Sequence, residues 1–376
     1  MAFLSYNGKF LTRSSKWVGY GSTGPVPVPI SGDGIVRFRF ENTSIDETML
    51  RSLTNNQGTW TQVVDGITGE PIPGMWDYAY NRSASYFRNS FPAGLKYENV
   101  GYVDIVDIRD TTAARSPFWD QAFMDDTAIR NANITQLDNS GTMIRMFQDC
   151  TNLRSAHIEC GAARDAQYLV GGCTGLTSLY ISSLNGAGGH AYAGCSSLRE
   201  ITIEITDATN GGYFMADGHG TDFADCTYIE EITLIHPSKS VARLTSHSDE
   251  YVLFKNLAYL EHVNYMKRIS DQSSASYGDV APDLMLVNGD IHRMFYGCAS
   301  LMALPSLTVS LGLSDCSNMF EECRQVLSGI SAAYNVLSAA NPRFHNRTFT
   351  NCGIDTQQGY AELQTVPVSW GGLAPG

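Results

Sequence analysis

Met146-Phe147-Gln148-Asp149-Cys150-Thr151-Asn152-Leu153 decides the fold, because the chain repeats it. The pattern returns as Phe223-Ala224-Asp225-Cys226-Thr227-Tyr228-Ile229 and as Met294-Phe295-Tyr296-Gly297-Cys298-Ala299-Ser300-Leu301. It returns once more as Met319-Phe320-Glu321-Glu322-Cys323 before Val326. Written as aromatic-x-x-Cys-x-x-Leu-x-x-apolar-x-apolar, the unit also exposes its weaker copies by register. The Cys position is held in turn by Asp126, Cys150, Cys173, Cys195, Cys226, Leu257, Cys298, Cys323 and Cys352. Three residues earlier stand Phe123, Phe147, Val170, Tyr192, Phe223, Phe254, Phe295, Phe320 and Phe349, so only Val170 is not aromatic. A unit of this length cannot bury its apolar face alone, which predicts a stacked array in which each turn covers the last.

Downstream of the Cys, Leu153, Leu176, Leu198 and Leu301 hold the apolar position. The stretches after it, such as Leu179-Tyr180-Ile181, Ile201-Thr202-Ile203 and Ile232-Thr233-Leu234, alternate as short half-buried strands do. Each turn is therefore expected to add one strand to a parallel stack. Seven of the nine cysteines fall on the repeat position, and Cys160 and Cys316 do not. Stacked positions lie about 4.8 Å apart, so a disulfide framework competes with a buried column of free thiols. The odd count, the replacement by Leu257 and the frequent burial of Cys as a small hydrophobe favour the free column. No Cys-x-x-Cys pair is present to support a zinc ribbon.

This register resembles the BspA-type leucine-rich repeat, whose units read like Met-Phe-x-x-Cys-x-x-Leu, over residues 118–356. The resemblance implies a solenoid and a surface-recognition role, as such repeats are common in adhesins of gut bacteria and in their phages; it does not imply an enzyme. Asp126 and Leu257 break the pattern, and Val326-Leu327-Ser328-Gly329 is a degenerate strand, so the array should be irregular near its ends. The opening Leu4-Ser5-Tyr6-Asn7-Gly8-Lys9-Phe10-Leu11 with Lys16-Trp17 resembles the start of structural proteins from phages of gut anaerobes. The closing Val366-Pro367-Val368-Ser369-Trp370-Gly371-Gly372 is similar to their ends.

Residues 1–32 read as an N-terminal attachment arm followed by a Pro-rich spacer. Phe3, Leu4, Tyr6, Phe10, Leu11 and Trp17 are the candidate attachment residues, docking into a capsid or tail protein by strand addition. Pro25, Pro27 and Pro29 alternate and are expected to hold a stiff extended segment without ladder donors. Residues 33–117 read as an independently packed β-rich capping region, with Ile35–Phe40 as one strand and 58–64 as its candidate partner. Four of the five tryptophans lie at or before Trp119. Residues 118–356 are the solenoid and 357–376 a C-terminal cap or tail. The expected class is mainly β: an irregular leucine-rich-repeat solenoid with a parallel strand stack, a small β-rich cap before it and an extended N-terminal arm.

The formal charge of −13 disfavours nucleic acid and anionic membrane as partners. The first residues lack a basic region and a continuous apolar run, and no apolar stretch reaches about 20 residues, so neither a signal peptide nor a span is expected. An exported adhesin would need such a signal, whereas a virion protein folds in the host cytoplasm. Unit spacing of 22–23 residues lengthens to 31, 31 and 41 after Cys195, which places loops within Thr206–Asp222, Ile235–Tyr251 and Met266–Asp290. Their face, with Tyr213, Tyr251 and Tyr277, is the candidate ligand surface for a host glycan or protein, against the plain reading that surface loops vary in length.

Catalytic constellations are weak. Asp217-Gly218-His219-Gly220-Thr221-Asp222 reads as a solvated turn, and Asn185-Gly186-Ala187-Gly188-Gly189-His190 departs from the dinucleotide pattern. No catalytic, metal or cofactor site is assigned. The expected function is a phage head or tail fibre or decoration protein, a trimer or dimer that contacts other virion proteins. A virion-bound glycan depolymerase and a bacterial surface adhesin are the alternatives.

Overall fold

The computed structural model describes residues 4–6, 9–11, 25–80, 87–90, 94–110, 119–137, 142–160, 166–183, 190–205, 223, 225–237, 254–269, 274, 276, 278–309 and 312–375. The chain begins with a hairpin: β1 (Leu4–Tyr6) pairs antiparallel with β2 (Lys9–Leu11), with Leu4 opposite Leu11. The arm is thus not one extended segment. The two residues between the strands in sequence are Asn7-Gly8, the pair that two-residue hairpin turns favour.

Strand β3 (Ile35–Phe40) follows, with Val36, Phe38 and Phe40 pointing into the core. Next come α1 (Glu47–Leu53), capped by the Asp46 carboxylate on the Met49 N–H at 2.9 Å, then β4 (Thr59–Val64) and β5 (Pro71–Ala79). A short α2 (Tyr97–Val100) leads to β6 (Val103–Asp110). The expected pairing of the first strand with 58–64 is wrong, because β5 lies between them: β3 pairs with β5 and β6, and β4 pairs with β5.

The repeating region then supplies β7 (Ile129–Leu137), β8 (Ser155–Cys160), β9 (Ser178–Ser183), β10 (Glu200–Ile205), β11 (Glu231–Pro237) and β12 (His262–Arg268). Every neighbouring pair from β6 to β12 is parallel. With β4, β5 and β3 on one side and β13 (Val280–Pro282) antiparallel on the other, the described residues form one eleven-stranded sheet. The register places like on like: Ile158, Ile181, Ile203, Leu234 and Tyr265 are successive partners facing the core. A one-residue slip would turn the whole row to solvent, so burial fixes the register.

Between strands the chain builds a second ladder. Phe123 N donates to Met146 O, Phe147 N to Leu169 O, Phe295 N to Met319 O and Phe320 N to Thr348 O, each across one turn. This geometry needs left-handed backbone at two places per turn. The residue before the Cys position has positive φ at Asp125, Asp149, Gly172, Gly194, Asp225, Asn256, Gly297, Glu322 and Asn351. Asp, Asn and Gly tolerate that region best, which is why they recur there. At Gly172, itself left-handed, a Cβ would stand 2.1 Å from the Asp149 Oδ1, so this turn has no room for the Asp used one turn earlier unless the Asp149 side chain moves.

After β12 the parallel run ends, with β13 as the last strand of the sheet. A smaller parallel pair, β14 (Met285–Val287) with β15 (Leu307–Val309), and single bridges such as Ala303 to Ser328 replace it. Two helices, α3 (Ile330–Ala339) and α4 (Gln357–Leu363), flank the last turn. Thr356 caps α4 at the Gly359 N–H and donates its hydroxyl to Val326 O at 2.7 Å, tying the C-terminal cap to the stack. Phe349 N donates to Trp370 O, and the Trp370 ring stacks on His345 at 4.2 Å.

Two expectations about the N-terminal half need correction. Residues 33–117 do not pack on a separate core, since one apolar cluster runs from Val36 through the Cys column to Trp370, and β6 joins β7 in the sheet. Residues 26–30 are not a free spacer either. Val28 N donates to Val64 O at 3.1 Å and Gly66 N donates to Val26 O at 2.8 Å, laying the run along the edge of β4. Arg37, paired in a fork with Asp77, also holds Val28 O at 2.7 Å. Alternate prolines leave alternate residues with an N–H, and those face inward. The third insertion, expected as a loop, carries β13 back onto β12.

Candidate recognition surface

The repeat motif is explained by its thiols. Cys150 donates Sγ–H to Phe123 O at 2.9 Å, Cys173 to Phe147 O at 2.9 Å and Cys195 to Val170 O at 3.1 Å. Cys226 does so to Tyr192 O at 3.1 Å, Cys298 to Phe254 O at 2.9 Å and Cys323 to Phe295 O at 3.1 Å. The same carbonyl accepts the Cys N–H of its own turn, as Phe147 O does from Cys150 N. A small apolar side chain with one weak donor suits that buried carbonyl. Leu257 keeps an apolar side chain in the column and gives up the donor. The aromatic rings three residues earlier stack along the axis, Phe254 on Phe295 at 5.1 Å and Phe295 on Phe320 at 5.3 Å.

Among the described residues the thiols of Cys150, Cys173, Cys195, Cys226, Cys298, Cys316, Cys323 and Cys352 are free and buried. Burial pushes the Cys298 and Cys316 thiols up to about 12 and raises those of Cys173, Cys323 and Cys352. A thiol, rather than a thiolate, does not attack electrophiles. Native protein at pH 8 is therefore expected to leave these eight unlabelled by a maleimide, and denatured protein to take it up at all of them. Intact-mass spectrometry counts the adducts, nine after denaturation with Cys160 included, and more than one without denaturant would contradict the buried column.

The outer sheet face carries a polar cluster. Glu204, 5% exposed, is held by both guanidinium arms of Arg268 and by the Tyr180 hydroxyl at 2.6 Å. His157 stacks on Tyr180 at 4.2 Å and bonds Glu159 at 2.9 Å. Burial first, then Glu204, raises the Tyr180 phenol well above its usual range. Its partners saturate this buried ion pair, so the arrangement clamps β9, β10 and β12 together.

Asp290, His292 and Asp315 bring three possible ligand atoms within 4.8 Å of one another. Their hydrogen bonds account for this proximity. Asp290 Oδ1 accepts from the His292 N–H and meets its Nδ1 at 2.5 Å, while Asp315 Oδ1 accepts the Ser317 N–H and hydroxyl. Asp290 and Asp315 open successive turns at equivalent positions and are bridged in parallel.

Tyr213, Tyr251 and Tyr277 lie outside the described residues, as do Phe3, Trp17 and the two Gly-rich motifs at 185–189 and 217–222. Leu4, Tyr6, Phe10 and Leu11 belong to the β1–β2 hairpin. A different aromatic pair is in view. Tyr228 and Tyr259 are 46% and 52% exposed, with ring centres 5.2 Å apart. Each sits two residues after the Cys position of its turn, a place the repeat register could have singled out. No family model, curated protein or solved structure matches the chain.

Proposed function

We propose that this chain is a non-enzymatic structural and recognition protein of a bacteriophage particle, a fibre or decoration component built on a BspA-type leucine-rich-repeat solenoid. The observation that supports the scaffold reading is the aromatic and thiol column, interrupted only by Val170 in the ring series and by Asp126 and Leu257 in the Cys series. The interior from Phe123 to Phe349 is spent on stacking one turn on the next, which leaves an elongated and rigid outer surface as the product of the fold. The virion assignment rests on the resemblance of residues 118–356 and of the two short terminal stretches. In this reading the N-terminal hairpin attaches the protein to a capsid or tail partner and the solenoid faces the host. A two-stranded hairpin is marginal alone, so a partner surface would complete it. Self-association as a trimer or dimer would multiply weak contacts to a host surface.

Mass spectrometry of density-purified phage particles tests this assignment. Stoichiometric recovery of the chain with the major capsid protein is expected, and the copy ratio separates many head sites from a few tail sites. Recovery only from host cells or their surface would discard the virion reading in favour of a bacterial repeat adhesin.

A further inference from the structure

The repeats provide an internal control for every surface position, and one position stands out. Two residues after the Cys position the other turns carry Ala128, Asn152, Gly175, Ser197, Ser300, Gln325 and Ile354, none of them aromatic. At Tyr228 and Tyr259 alone in that described series the side chain is a large aromatic, in adjacent turns. Folding does not call for it, since the other turns stack without it. The next residues, Ile229 and Leu260, are fully buried, so Tyr228-Ile229-Glu230 and Tyr259-Leu260-Glu261 both project a ring and a carboxylate outward.

The backbone beneath is fixed from both sides. Ile229 N donates to Cys226 O and Leu260 N to Leu257 O, while Glu230 N bonds Arg199 O and Glu261 N bonds Glu230 O. The rings are thus held on a rigid edge without ordering cost at binding. Around them Glu230 pairs with Arg199, and Glu261 lies 4.0 Å from His262, with all four side chains roughly half exposed. Ser197 and Ser300 on the flanking turns leave the outer sides of the ring pair low and open.

We infer that Tyr228 and Tyr259, with Glu230 and Glu261, form a binding site for a neutral pyranose glycan. Each feature selects that chemistry. A pyranose offers an apolar C–H face for a tyrosine ring and hydroxyl donors for the carboxylates, with Arg199 as a donor to ring or hydroxyl oxygens. An apolar protein patch would strip water from the half-exposed Arg199–Glu230 pair and from Glu261 and offer no hydrogen bonds in exchange. An anionic sugar would meet both carboxylates and a chain of formal charge −13. The inference rests on the recognition role proposed above and is independent of where the protein is assembled.

The test uses the full-length chain on an array of neutral and anionic glycans and on host cells, with Tyr228→Ser/Tyr259→Ser and Glu261→Gln beside the wild type. Serine is the residue the adjacent turns already use, so an unchanged melting temperature is expected. Binding of neutral glycans by the wild type is expected, with a loss of roughly tenfold or more in affinity for the double variant and a smaller loss for Glu261→Gln. Unchanged cell binding by the double variant would overturn this site and leave the recognition role standing. Absence of any cell or glycan binding by the wild type would remove the recognition role itself. Binding confined to anionic glycans, or a change of oligomeric state in the double variant seen by light scattering, would likewise overturn the assignment.

Discussion

Phe295→Ala is expected to lower the unfolding free energy by about 3–5 kcal/mol, the range for truncating a buried phenylalanine in a core that cannot collapse around the gap. Phe295 is fully buried and its ring is covered on both faces, by Phe254 at 5.1 Å and by Phe320 at 5.3 Å. The turns above and below are each held to it by backbone hydrogen bonds and by the Cys298 and Cys323 thiols, so they cannot close in by the thickness of a ring. Phe295→Leu should cost clearly less, because Val170 shows that a branched aliphatic can occupy this column, four turns earlier. Urea unfolding followed by circular dichroism measures both. A loss below about 1 kcal/mol for the alanine variant would mean that the ring column does not carry the core.

Asp126→Asn is expected to stabilise the protein at pH 8 by roughly 2–4 kcal/mol and to flatten its pH dependence between pH 4 and 8. Asp126 occupies the Cys position of the first turn and is 3% exposed, with the Leu95 N–H donating to its Oδ1 at 2.7 Å. Burial pushes its carboxyl up to about 7 from an ordinary 3.8, against the opposing pull of that N–H and of Lys96. The native state therefore holds the proton more tightly than the unfolded chain. Its contribution is fully present below about pH 4 and is lost as pH rises through 7. Asparagine offers the same acceptor and cannot ionise. Thermal melts of both proteins across this range decide it: parallel pH profiles would show that folding leaves the proton affinity of the Asp126 carboxyl unshifted.

What the sequence made legible was what repetition made redundant. The Cys register, the ring column and the alternation at Ile158, Ile181, Ile203 and Leu234 each recur, so a single odd residue such as Leu257 did not hide them. The strands of the N-terminal half were harder because each occurs once and carries misleading chemistry. β6 reads Val103-Asp104-Ile105-Val106-Asp107-Ile108-Arg109-Asp110, acidic enough to pass for a loop. Inside the fold Thr135 and Gln136 hydrogen-bond the Asp107 carboxylate, and the Tyr80 hydroxyl donates to Asp110 at 2.5 Å. β5 contains Pro71 and Pro73 and so resembles a breaker. The thiol donors to carbonyls of the preceding turn could not be read at all, because they join residues 25 to 44 positions apart. Of the recognition surface, spacing marks insertions that lie mostly outside the described residues, whereas Tyr228 and Tyr259 fall inside the motif at positions its pattern leaves unspecified.

The Pro-rich run along β4 has a consequence for crowding. A long, mostly parallel sheet is an open template at either end, ready to recruit another copy by its unpaired backbone. The edge strand β4 is flanked at its C-terminal end by the run Val26–Ile30, which is bonded inward at Val26 O and Val28 N and turns Pro27 and Pro29 outward, residues with no hydrogen to give. At that corner an incoming strand meets carbonyl acceptors but no outward backbone donors, so its ladder would be half made. Copies held at high local concentration are therefore less prone to fuse through this corner of the sheet.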